Sequence, residues 1–86
     1  MDNLDRSIGF RVISSDGYVG IVEEIVYGAE NLLSALVVRT RRADRPFVLI
    51  GAEEVLDCFE HAGSVVLSPS WRSSAVAMLD GERLVA

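Results

Sequence analysis

The sequence predicts a small all-β protein built mainly from antiparallel strands. Eighteen of its 86 residues are β-branched: twelve Val, five Ile and one Thr. They fall in short runs. Turn-forming residues separate these runs at fairly even intervals, which is the pattern of a small barrel or sandwich.

The first run covers residues 8–14, where Ile8, Phe10 and Val12 alternate with Gly9, Arg11 and Ile13. Ser15, Asp16 and Gly17 follow as a hairpin turn, with Gly17 free to take a positive φ. The second run, 18–27, places Val19 and Ile21 on one face and Val22 and Val26 on the other. Its two-residue period breaks between Val19 and Val22, and a bulge or bend at Gly20 accounts for the break. Residues 28–31 make the next turn. A third run, 32–40, has Leu36, Val37 and Val38 at its centre, and residues 41–45 form a charged hairpin tip. The fourth run, 46–50, begins with Pro46, which suits the first position of a strand. Residues 51–54 read as a loop or a single helical turn, 55–59 as a fifth strand, 60–63 as a turn and 64–68 as a sixth strand. Short neighbours joined by tight loops pair antiparallel.

The pattern changes at Pro69. Ser70 is positioned as an N-cap, and Trp71, Ala75, Met78 and Leu79 recur at helical spacing. That predicts a helix of about three turns over roughly residues 70–80. Gly81 supplies a stop, and 82–86 read as a short tail. No repeat or linker interrupts the chain. Residues 1–86 therefore read as one domain, with a barrel of about six strands over 8–68 and a C-terminal helix.

Composition narrows the function. The net charge is −5 and the pI about 4.6, so a long phosphate backbone is repelled overall. All eight basic residues are Arg. Cys58 is the only cysteine, which excludes an internal disulfide and fits a reducing compartment. Residues 1–6 carry neither a basic nor an apolar stretch, so no secretion signal is expected. No apolar run approaches the ~20 residues that span a bilayer. A cytoplasmic location is expected. A chain this short has little room for both a core and an enclosed substrate cavity, which weighs against an enzyme.

Four constellations are candidates for chemistry or binding. Glu53, Glu54, Asp57, Glu60 and His61 are the densest set of metal-ligand types, but a strand over 55–59 turns them into a solvated face. Cys58 and His61 share no nucleophile signature, and one Cys in an apolar run is ordinary packing. No catalytic residue, cofactor site or metal site is expected. Arg39, Arg41, Arg42 and Arg45 concentrate positive charge at one hairpin. They read either as a docking patch for acidic protein or RNA phosphate, or as a solvated tip that discourages edge-to-edge pairing. Trp71, with Met78 and Leu79, reads either as an interface anchor or as a cap on the open end of the protein's own core.

One stretch also resembles a known family. Gly9-Phe10-Arg11-Val12, then Asp16-Gly17-Tyr18-Val19-Gly20-Ile21-Val22 with Glu24-Ile25, then Leu36-Val37-Val38-Arg39, then Phe47-Val48-Leu49-Ile50 with Glu54-Val55, resemble the PRC-barrel family. The likeness covers about sixty residues and is carried by hydrophobic positions and glycines. The family often has Pro after its fourth strand, where Gly51 stands here. It includes the cytoplasmic barrel of the photosynthetic reaction-centre H subunit and the C-terminal domain of the ribosome-maturation factor RimM. The resemblance implies a PRC-type barrel without catalytic residues, a scaffold that docks on other macromolecules. The expectation is thus a non-enzymatic interaction module working with protein partners. A second copy of itself in a homodimer is the leading partner, and a membrane-adjacent partner is another option. An RNA- or ribosome-associated protein acting through the 39–45 hairpin, and a small metal-binding protein, are the alternatives.

Overall fold

A computed structural model describes residues 4–78. Seven strands form one sheet: β1 (Arg11–Ser14), β2 (Gly17–Tyr27), β3 (Leu33–Thr40), β4 (Phe47–Gly51), β5 (Val55–Phe59), β6 (Ser64–Leu67) and β7 (Val76–Met78). Their order across the sheet is β5-β6-β1-β2-β3-β4-β7. Every pairing is antiparallel except that of β1 with β6. Among the described residues the one α-helix, α1 (Trp71–Ser74), lies between β6 and β7.

The expected barrel does not close, and the strands number seven rather than six. The physical reason lies in the segment that was expected to be helical. The helix over 70–80 stops after Ser74, and Ala75 is already extended at φ −71°, ψ 143°. Val76, Ala77 and Met78 then pair with Leu49, Val48 and Phe47. The unpaired edge of β4 offers them ladder hydrogen bonds, which override a weak helical pattern. With β7 on that edge, β5 is left as the opposite margin of an open sheet.

The sheet still curls around one core. Val12, Val22, Leu36, Val38, Val48, Ile50, Val55, Val65 and Leu67 pack together on its inner face, with Leu4 and Trp71 joining them. Each buried aliphatic side chain contributes roughly 1.5–3 kcal/mol. A second, smaller cluster of Val37, Phe47 and Met78 lies on the outer face, with Val26 and Leu49 against it. β3 is thus covered on both sides, which explains its unbroken Leu36-Val37-Val38 run.

Bulges supply the curvature. Tyr18 and Gly20 lie opposite consecutive residues Ile13 and Val12, so Val19 is the extra residue. Opposite β3, Glu23 is extra between Val22 and Glu24. Each insertion flips side-chain parity and bends the strand. Val19, Val22 and Ile25 therefore all reach the inner core, at a spacing of three. The expected pairing of Val22 with Val26 on one face is corrected accordingly, since Val26 packs in the outer cluster. Gly20 is obligatory at this bend, because an added Cβ would lie 2.3 Å from the Arg39 carbonyl oxygen of β3. At the hairpin before it, Gly17 sits at φ +118°.

Candidate functional site

Turns alternate between the two ends of a meander. The β1–β2 and β3–β4 turns must therefore lie at the same end of the sheet. α1 packs beside them, and the three segments line an open cavity of about 450 Å³. Val19, Val48, Trp71, Ala75 and Ala77 supply its apolar wall. Four arginines, Arg41, Arg42, Arg45 and Arg72, line it together with Asp16, Tyr18 and Thr40.

Thr40 holds the hairpin tip in shape. Its hydroxyl donates to the Arg45 carbonyl and accepts the Arg42 amide at 3.1 Å. The Thr40 amide donates to the Pro46 carbonyl at 2.9 Å, and the Arg45 amide to the Arg42 carbonyl at 3.2 Å. A tight loop thus presents Arg41, Arg42 and Arg45 from a fixed backbone.

The charges around the cavity are unevenly paired. Arg42 forms a two-pronged contact with Asp44, Nε to Oδ1 and Nη2 to Oδ2, both at 3.2 Å. Arg45 reaches the same carboxylate at 4.0 Å. Hydrogen bonds from Arg42 hold the Asp44 carboxyl below the ordinary carboxylate range. Arg72 lies 3.5 Å from Asp16 and has its guanidinium 5.4 Å from the Trp71 ring centre. The Arg41 guanidinium lies over the Tyr18 ring at 5.2 Å and, among the described residues, has no ion pair.

Trp71 is 7% exposed and belongs to both the core and the cavity wall. Its Nε1 is buried and has no hydrogen-bond partner among the described residues. The indole therefore packs in the inner core and borders the cavity at once.

Of the residues expected on an interaction surface, Arg41, Arg42, Arg45 and Trp71 meet at this cavity. Arg39 does not join them. It stands opposite Ile21 and Phe47 on the outer face and pairs with Glu23 at 3.0 Å. Met78 lies in the outer cluster rather than beside Trp71, because β7 replaces the helix that would have aligned them. Leu79 lies outside the described residues. Tyr18, Asp16 and Arg72 were not anticipated as site residues. The alternation of hairpin ends is the signal that would have found the first two, and the neighbour of Trp71 the third.

The acidic 53–61 stretch takes a different form. Glu54 ends a 3-10 turn at Ala52–Glu54, and its carboxylate accepts the hydroxyls of Ser68, of Ser70 at 3.1 Å and of Ser74 at 2.9 Å. The Ser68 and Ser74 hydroxyls, joined by Ser70, keep its carboxyl below the ordinary glutamate range. Glu54 is a clasp between that turn and α1. No cluster of three metal-ligand side chains occurs among the described residues. Cys58 packs against the core, and its thiol is pushed up by burial and then by Glu60 and Asp57, so the thiolate is disfavoured. No hydrogen bond joins it to His61, which is exposed. Among the described residues no helix is long and apolar enough to cross a membrane.

No protein-family model matches the sequence, and no curated protein is significantly similar to it.

Proposed function

We propose that the chain is a non-enzymatic protein-interaction module of PRC-barrel type that seats an acidic segment of a partner protein in the arginine-lined cavity. The observation that carries this reading is the concentration of four guanidinium groups around one apolar-walled cavity on a protein of net charge −5. A general electrostatic attraction cannot come from such a chain as a whole, so recognition must be local. The apolar wall of Trp71, Val48 and Ala75 supplies burial, and the arginine forks set orientation. A long RNA backbone is disfavoured by the net charge of −5, which repels an extended run of phosphates.

Selection from a displayed random-peptide library tests the reading. Peptides rich in Asp and Glu should be enriched on the wild type, and the same peptides should be lost on the doubly substituted Arg41→Ala, Arg45→Ala protein. Enrichment of peptides that bind both proteins equally would place recognition elsewhere and sink the proposal.

A further inference from the structure

We infer that the cavity is built for a phosphate monoester, carried on a phosphorylated serine or threonine of the partner segment. The inference rests on the docking role proposed above and names the chemistry that docks.

Charge balance is the first argument. Four guanidinium groups around the cavity are met by two carboxylates, Asp16 and Asp44. Among the described residues two positive charges are left over. A phosphate monoester carries about −1.5 to −2 at pH 7, which matches that surplus on one group. A single Asp or Glu matches only half of it. Three of the four arginines come from one five-residue tip whose backbone Thr40 fixes, so the surplus is concentrated and not spread along a groove.

Donor geometry is the second. The Arg42–Asp44 contact shows a guanidinium of this tip already using its fork on two oxygens of one anion. Arg41, whose guanidinium lies over the Tyr18 ring at 5.2 Å, has no ion pair among the described residues, and its N–H groups can donate to an incoming anion. Tetrahedral phosphate offers three acceptor oxygens, enough for several forks at once. The cavity volume falls within the ~300–1,000 Å³ of small-ligand sites, which accommodates a phosphorylated side chain with its immediate neighbours.

Trp71 is the only tryptophan, so its emission reports the cavity directly. The full chain is titrated with a short peptide in three forms carrying serine, phosphoserine or glutamate at one position, and separately with a mononucleotide monophosphate. The phosphoserine form should give a saturable change in Trp71 emission and bind at least about tenfold more tightly than the glutamate form, as expected for charge-assisted bonds to a dianion. Arg41→Ala should weaken it by about tenfold and Arg41→Lys by less, with the far-ultraviolet spectrum unchanged in both. Equal binding of the glutamate and phosphoserine forms would overturn the phosphate inference and leave the acidic-segment reading intact. A mononucleotide that binds more tightly than the phosphopeptide would overturn the assignment to a protein side chain. Failure of all the ligands, together with an empty library selection, would remove both proposals.

Discussion

Glu54 and Arg41 are both charged, both sit at a connection between strands of the same sheet, and both lie near α1. Three serine hydroxyls from the α1 region surround the Glu54 carboxylate. Arg41 lies over the Tyr18 ring, and both residues line the cavity. From the acidic cluster, Glu54 thus fastens one piece of chain to another, while Glu53, Asp57 and Glu60 are exposed. The basic cluster is held by its backbone, and much of its charge is unspent. Density of charge in the sequence does not separate these roles. What separates them is whether the surrounding hydroxyls and carboxylates neutralise the group within the fold.

The comparison breaks most visibly at the residue shared by the core and the cavity. Trp71→Ala removes the plug of the inner core, and the expected loss is about 3–5 kcal/mol in urea unfolding. Trp71→Phe keeps most of the volume and deletes a buried donor that has no partner among the described residues, so its loss should be much smaller. Equal losses for the two would mean that the indole N–H contributes to folding, against the geometry seen here. Gly20→Ala comes next. Its Cβ would meet the Arg39 carbonyl at 2.3 Å, a backbone atom with no freedom to swing away. Strands β2 and β3 must part locally, at a cost of roughly 1–3 kcal/mol measurable by thermal unfolding. An unchanged midpoint would show that the bend can relax without its glycine.

Much of this contrast was legible in the residues, and the failures have specific causes. Strands β1 to β6 follow runs of Val and Ile between turns, because those runs have no other way to bury both their backbone and their side chains. β7 was hidden because Trp71, Ala75 and Met78 satisfy helical spacing equally well. Only the vacant edge of β4 decides between the two, and that edge is a tertiary fact. Leu4 joins the core from a 3-10 turn at Leu4–Arg6, ahead of the first strand, where no periodicity marks it. At the site, Arg41, Arg42 and Arg45 are visible as a loop cluster. Arg39 stands apart from them, because it still belongs to the strand and obeys strand parity. Tyr18 and Asp16 enter the site only when two hairpin ends are brought side by side.

The clasp itself gives a pH-dependent test. Glu54 has its pKa lowered in the folded chain, first by the Ser68 hydroxyl, then by Ser74 and, less, by Ser70. A group depressed on folding stabilises the protein above its unfolded pKa, about 4.3 for glutamate, and that contribution fades as pH falls through the folded value. The wild type should therefore lose thermal stability across this acid range more steeply than Glu54→Gln, which has nothing there to titrate. At neutral pH the variant should melt lower than wild type, and the two curves should converge in acid. Parallel curves would mean that the serine contacts do not distinguish the ionised carboxyl from the neutral one.

Arg41→Ala should give the smallest stability change, and it sharpens the contrast for that reason. The side chain makes one cation–π contact at an exposed ring and has no ion pair among the described residues. Its removal should therefore cost less than about 1 kcal/mol. The tip should keep its shape, since Thr40 secures it through hydrogen bonds to the Arg45 carbonyl and the Arg42 amide, neither of which uses the Arg41 side chain. Urea unfolding of Arg41→Ala beside Glu54→Gln at neutral pH makes the comparison direct. A near-wild-type midpoint for the arginine variant, with a clear drop for the glutamate variant, is the result of a charge kept for something outside the fold. If Arg41→Ala falls as far as Glu54→Gln, the guanidinium is a brace for Tyr18 and the hairpin, and its charge is already committed within the molecule.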